Sequence, residues 1–203
     1  RAFGLIIASE LEVPGAVSVA HSAVDADVVI RIGACPIGPV ESVNGPYSRS
    51  GEPLLFDAAG IARYVAPASD QLWRESYPNA DSEKVIALLI ATALPMLIWM
   101  RGDVVVHAAG IVPAGTTKAI AIAGPSGVGK STLAAGLIDK GGRLVGDDNL
   151  KLTVTAERAL VSGLSACLFA PHAPNTRRTA IALPRASQME IAPLAAIICL
   201  KID

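Results

Sequence analysis

The residues with the clearest chemical spacing are Gly124-Pro125-Ser126-Gly127-Val128-Gly129-Lys130-Ser131, with Thr132 following. Glycines in this pattern let the backbone approach a bound anion more closely than side chains would allow. Consecutive N–H groups then turn inward as an anion nest. The apolar helix pattern that follows adds the positive end of its dipole. Lys130 supplies a mobile cation for β- and γ-phosphates, and Ser131 a hydroxyl for Mg²⁺, as in a phosphate-binding loop. The expected nucleotide-contacting set is therefore Gly124, Ser126, Gly127, Val128, Gly129, Lys130, Ser131 and Thr132, with ATP and Mg²⁺ as the expected cofactors.

Asp147 stands 16 residues after Ser131, and Asp148 is next to it. Read as the end of a strand beside the loop in a parallel sheet, these neighbours point to opposite sides. One can serve Mg²⁺ and the other can face an acceptor hydroxyl; the residues alone leave open which. His107 lies in the apolar run "VVVHAAG", where a lone histidine is more often a satisfied core residue. Arg177-Arg178 either contact phosphate or solvate a loop. His21 and His172 lie in loop-like surroundings and receive no role. Cys35, Cys167 and Cys199 are odd in number and form no C-x-x-C pair, so they read as apolar filler in a reduced compartment.

Elements must position these groups. Residues 1-66 read as a small β-rich N-terminal module punctuated by Pro and Gly, with a hairpin turning near Ala58 to Gly60. Residues 67-80 read as a polar connection, and 81-203 as the phosphate-loop domain. Within it, Asp81 or Ser82 caps a helix running to about Met100. Short strands follow around His107 and Ile111, then a strand over 118–123. A helix from Gly129 to about Lys140 is closed by Gly141-Gly142. "LKLTVT" and "ALVSGL" pair as a hairpin, residues 170–193 are loop-like, and "LAAIICLKI" is a last buried strand.

The 203 residues carry 17 Lys+Arg against 18 Asp+Glu, so no basic face points to nucleic acid. The uncharged run Val85 to Met100 is short for a membrane span and holds Pro95, so it reads as a core helix. A cytoplasmic protein with no membrane span is expected, and homo-oligomerisation stays open. Three readings of the chemistry compete beside a protein or peptide kinase. One is a kinase of a small-molecule hydroxyl such as that of a free amino acid. Another is a nucleotide-dependent switch, which should carry N-K-x-D; the chain has none. The last is a scaffold that lost its chemistry, against which Lys130, Ser131, Asp147 and Asp148 all stand intact.

"VHAAGIV", "GPSGVGKSTLAAGLI" and "GGRLVGDDNLKL", in this order, resemble the HPr kinase/phosphorylase superfamily. They look most like its bacterial HPr-kinase-like branch, found beside ribosomal (lasso-type) precursor-peptide clusters. The resemblance covers about residues 81 to 155, and "FGLIIASELEVPG" is similar to that branch's N-terminal module. It implies an α/β fold with a P-loop kinase core of HPr-kinase C-terminal type, preceded by a small mainly β N-terminal module. It implies a phosphotransferase acting on a hydroxyl, a serine or C-terminal residue of a peptide or protein, such as a precursor peptide. Carried over by position, Asp147 matches the catalytic base, Asp148 a magnesium-site acid beside Ser131, and His107 a residue near the transferred phosphate, with Lys130 on the phosphates. Ala109 stands where many HPr kinases carry Ser, and no arginine- and glycine-rich signature follows the double acid. The resemblance therefore extends to the chemistry more than to HPr as acceptor.

Overall fold

The computed structural model describes residues 1–19, 25–34, 47–49, 53–171 and 178–201. The chain forms two compact units. One joins Arg1–Gly4 and Pro14–Val19 to Asp103–Asp203; the other joins Leu5–Val13 to Ala20–Gly102. This division replaces the expected one at residues 66 and 80. The chain's first residues are tied to the C-terminal unit: the Phe3 N–H donates to the Gly163 carbonyl at 3.0 Å, and Arg1 pairs with Glu190 at 2.9 Å. The helix Ser82–Met100 goes with the other unit.

In that unit β1 (Ile7–Ser9), β2 (Val28–Ile32), β3 (Tyr47–Arg49), β4 (Leu54–Ala58), β5 (Ala62–Ala68) and β6 (Gln71–Ser76) make a sheet of order β1-β2-β6-β5-β4-β3. The β4–β5 hairpin turns where its Ala-Gly pair predicts. The expected connection 67-80 is instead largely strand: β5 runs through Pro67, and β6 pairs with both β5 and β2. Pro67 is accommodated where the β5–β6 register shifts between Val65 and Ala68, a bulge that requires no N–H from it. Asp57, Arg63 and Glu75 stand as cross-strand neighbours, alternating in charge, and Tyr77 donates to Asp57 at 2.9 Å. Arg63, Glu75 and Tyr77, with Ser76 and Pro78, line a pocket of about 200 Å³.

The Ser82–Met100 helix is capped as its sequence predicts, with the Asp81 carboxylate accepting the Glu83 N–H at 2.9 Å. Its middle, Leu89–Ala93, widens to a π turn. Pro95 explains this, since it has no N–H to donate one turn back. By length and composition the helix could cross a membrane, and 44% of its apolar window is buried within the protein. Leu89, Leu94, Leu97 and Ile98 are fully buried, and the Tyr64 hydroxyl donates to the Val85 carbonyl. Each such buried side chain contributes about 1.5–3 kcal/mol. The cap adds less: Asp81→Ala is expected to cost about 1 kcal/mol, read in urea unfolding of the whole chain, and an unchanged midpoint would remove the cap from the account.

The C-terminal unit holds β7 (Val104–Val106), β8 (Ala108–Val112), β9 (Ala119–Ala123), the helix Lys130–Asp139, β10 (Arg143–Gly146), β11 (Leu150–Val154), β12 (Ala159–Gly163) and β15 (Ile191–Cys199), with sheet order β10-β8-β9-β15-β12-β11-β7. β8 lies between β9 and β10 and is antiparallel to both. The two strands expected as neighbours thus run the same way with one strand between them. Alternate residues of β8, β9 and β10 enter two cores. Ala109, Ile111, Ile122 and Leu144 join Ala134 of the helix, while Ala108, Val112, Ala121 and Val145 join Leu150, Leu152 and Val161. Burial on both faces is why these strands read as unbroken apolar runs.

Two expectations fail here. Residues 170–193 are not all loop, because β13 (Cys167–Pro171) and β14 (Arg178–Ala182) form a hairpin. The last strand is not buried: Ile197 and Ile198 are 50% and 44% exposed. β9 pairs with one edge of β15, and among the described residues β12 reaches only Ile191 to Pro193 on the rest. An apolar sequence reports a strand's preference for cover, not whether a neighbour supplies it.

Candidate active site at one end of the sheet

The strand directions bring the chemistry together. β9 and β10 end, and antiparallel β8 begins, at the same end of the sheet. Ala108 pairs with Ala123, so His107 and Gly124, one residue beyond each, leave that end side by side. Gly146 pairs with Gly110, and Asp147 follows it.

The loop after β9 has the conformation its glycines predict, with φ of +145°, +82° and +99° at Gly124, Gly127 and Gly129. At Gly124 a Cβ would meet the Leu200 carbonyl oxygen at 2.7 Å, so space as well as dihedral requires glycine there. Pro125, Ser126 and Gly127 are exposed, as is Thr132, while Val128 and Gly129 are half-buried. Gly129 caps the helix, and its carbonyl accepts the Leu133 N–H at 2.9 Å. Lys130 is 6% exposed, and its Nζ donates to the carbonyls of Gly124 at 2.9 Å and Pro125 at 3.0 Å. The ammonium is thus held inside the loop, with one of its three donors left over.

Asp147 is 2% exposed and accepts three hydrogen bonds. Ser131 Oγ donates to its Oδ1 at 2.9 Å, the Asp148 N–H to the same oxygen at 3.0 Å, and the Phe169 N–H to Oδ2 at 2.8 Å. Burial pushes this carboxyl above the usual aspartate range. The Phe169 and Ser131 hydrogen bonds pull it back in part, and the charge of Asp148 adds to the rise. Burial, and after it the charge of Asp147, also pushes the nearby Cys167 thiol up to about 11, so this cysteine is an apolar filler and not a thiolate.

The double acid does not sit on a strand as expected. β10 stops at Gly146, and Asp148 has φ of +74°, a left-handed conformation that costs a non-glycine residue energy. This turn, not strand alternation, aims the two carboxylates apart. Asp148 carries its carbonyl to His107, whose Nδ1 lies 2.8 Å from it and 3.5 Å from Asp148 Oδ1. His107 is not a core histidine: it falls in the break between β7 and β8, with its side chain 44% exposed.

Ser131, Asp147, Asp148 and His107 therefore form one connected chain starting at the glycine-rich loop after β9. The Phe169 N–H was not legible beforehand, since a backbone donor supplied by a hairpin leaves no mark on residue type. Cys35, His21, His172 and Arg177 lie outside the described residues, and for Arg178 only the backbone pairing with Pro171 is described.

No protein-family model matches the chain, and no curated protein does. Among solved structures it is similar to the Hpr(Ser) kinase/phosphatase from Coxiella burnetii, at 22% identity and a TM-score of 0.41, over 47% of this chain and 63% of that one. The chain thus spans less than two thirds of the length of that structure.

Proposed function

We propose that this chain is an ATP- and Mg²⁺-dependent phosphotransferase that moves the γ-phosphoryl group to a hydroxyl of a peptide or protein. One observation carries the reading: the hydroxyl that follows the loop lysine, Ser131, is bonded to a buried carboxylate, Asp147, at the mouth of the phosphate loop. Two hard oxygen donors held 2.9 Å apart suit Mg²⁺, with phosphate oxygens and water completing its shell. When bound, Mg²⁺ would neutralise charge on the β- and γ-phosphates. The inward N–H groups and Lys130 cradle the phosphates, and Lys130 turns from its loop carbonyls to them.

The proposed division of labour reverses the expected one: Asp147 and Ser131 serve the metal, and Asp148 belongs to the side where His107 and the acceptor lie. Asp147 is less suited to be the base than to serve the metal, because its Oδ1 is held on the Ser131 hydroxyl and little of it reaches solvent. A serine-bearing precursor peptide is the proposed acceptor, following the motif resemblance.

ATP with Mg²⁺ at a hundredfold excess over Kd is expected to stabilise the C-terminal unit by about 2.7 kcal/mol, and Lys130→Ala to remove most of that. Melting followed with and without nucleotide checks this. A wild-type melt indifferent to ATP–Mg²⁺ would sink the nucleotide site and with it the phosphotransferase.

A further inference from the structure

The pocket at the β5–β6 pair is lined by a guanidinium that stands near two acids and is hydrogen-bonded to neither. Pairing sets Asp57 opposite Arg63 and Arg63 opposite Glu75, so the three side chains share one face of the sheet. Arg63 Nε lies 3.4 Å from Asp57 Oδ2, and Nη1 lies 3.8 Å from Glu75 Oε2. Nε is buried and makes no hydrogen bond among the described residues. Asp57 is already engaged, because the Tyr77 hydroxyl donates to its two oxygens at 2.9 and 3.2 Å. That hydrogen bond, more than any other cause, raises the Tyr77 phenol above the usual tyrosine range, so the phenol keeps its proton and its hold on Asp57. A guanidinium carries five donors in a planar fork and no acceptor. The two acids balance the charge of Arg63 and leave its donors unspent. The same shortage appears two residues back along β6. Trp73 lies opposite Arg31 and Val65, with the Arg31 guanidinium 5.7 Å from its ring centre, and its buried indole N–H has no acceptor either. Formal charge on this face is even, Arg31 and Arg63 against Asp57 and Glu75. What the face lacks is acceptors, and buried donors in folded proteins find partners.

We propose that this pocket binds a carboxylate, presented by an acidic side chain of a peptide or by a small free acid, through the fork of Arg63. A carboxylate offers two oxygens in one plane, the shape a guanidinium fork matches. Tyr77 and Pro78 wall the pocket. Ser76 accepts from Arg74 and keeps its own hydroxyl hydrogen to donate to the guest. Glu75 is the internal competitor. Its side chain is 46% exposed and no hydrogen bond among the described residues holds it, so it yields the fork by turning to solvent. The site is independent of the nucleotide chemistry, and all its residues belong to the unit that contains Ala20–Gly102.

The test uses the whole chain with Trp99→Phe, which leaves Trp73 as the single tryptophan and a reporter on this face. Trp99 is largely exposed, so its replacement leaves the core alone. The probes are glutarate and a blocked Ser/Gly peptide with one glutamate, each beside its amide counterpart, glutaramide or the glutamine peptide. Binding is read by calorimetry and by the Trp73 indole N–H resonance. At least one acid is expected to saturate, with its amide about 10-fold weaker or worse. Glutarate alone saturating identifies a free acid as the guest, and the peptide alone a presented side chain. Arg63→Gln is expected to lose about 10- to 100-fold in affinity, the scale of hydrogen bonds to a charged group. Arg63→Lys keeps the charge without the fork and is expected to fall nearly as far. Glu75→Gln removes the competitor and is expected to bind the acid several-fold more tightly. Melts of each variant check that it is folded. The proposal is overturned if neither acid saturates, if the amides bind as well, or if both Arg63 variants bind like wild type. It is also overturned if Glu75→Gln weakens binding, since the pocket then holds its guest through the carboxylate of Glu75.

Discussion

On the proposed function, Asp147→Asn is expected to weaken the apparent Mg²⁺ affinity of phosphoryl transfer by about 10- to 100-fold, the scale on which metal sites respond to loss of an oriented ligand or its support. Raised Mg²⁺ should restore part of the rate. The expectation follows from the partners of Asp147. An amide at this position can still accept from Ser131 through its oxygen, but it has lost the charge that a divalent cation seeks. Its N–H₂ must then face the Phe169 N–H, which now donates to nothing, and leaving that buried donor unpaired costs about 1–3 kcal/mol. The variant should therefore melt lower even without nucleotide. Asp148→Asn, which meets neither Ser131 nor Phe169 in any described hydrogen bond, should leave the Mg²⁺ dependence within a few-fold of wild type. Mg²⁺ titrations of transfer, run beside nucleotide-free melts for both variants, decide the matter. If Asp148→Asn shows the Mg²⁺ defect and Asp147→Asn does not, the two acids have the opposite roles.

Residue type and spacing were enough to read the conformation of the loop after β9, because Gly124, Gly127 and Gly129 all take the positive φ that favours glycine. The same holds for the Asp81 cap and the β4–β5 turn, where one residue and its next two neighbours decide the geometry. Relations set by distant strands were not legible. Nothing in "VVVHAAG" says that β8 inserts between β9 and β10, yet that insertion places His107 beside Gly124. Nor does "GDDN" disclose whether the strand continues through the acids. That depends on Asp148 adopting a positive φ, which Asp tolerates but does not announce. Cover is a third case: "LAAIICLKI" and "AIAIA" look alike, but β9 has neighbours on both edges while much of β15 has one.

Gly146→Ala should disable the site without touching any group that does chemistry. The turn carrying Asp147 begins where β10 and β12 approach backbone to backbone. A Cβ on Gly146 would stand 2.8 Å from Gly163 Cα and 3.0 Å from the Leu164 nitrogen. Neither is the end of a flexible side chain, so the strand itself must move. Overpacking of this kind costs about 1–3 kcal/mol. For a chain of this size that lowers the melting temperature by several degrees, at about 2–4 °C per kcal/mol. Displacing the end of β10 also draws Asp147 from Ser131, so the ATP–Mg²⁺ stabilisation should shrink along with the apo stability. Gly163→Ala fills the same gap from the other side, 2.9 Å from Gly146 Cα, so the double variant should cost less than the two single costs added. Gly136, on the helix that follows the phosphate loop, is the contrasting case. A Cβ there meets nothing within 4 Å, so Gly136→Ala should stabilise by about 0.5–1 kcal/mol and leave nucleotide binding alone. Urea unfolding of all four variants, each with and without ATP–Mg²⁺, separates these outcomes. A Gly146→Ala protein with wild-type stability and a wild-type nucleotide shift would show that β10 and β12 have room to spare, and that the approach of these two strands does not set the position of Asp147.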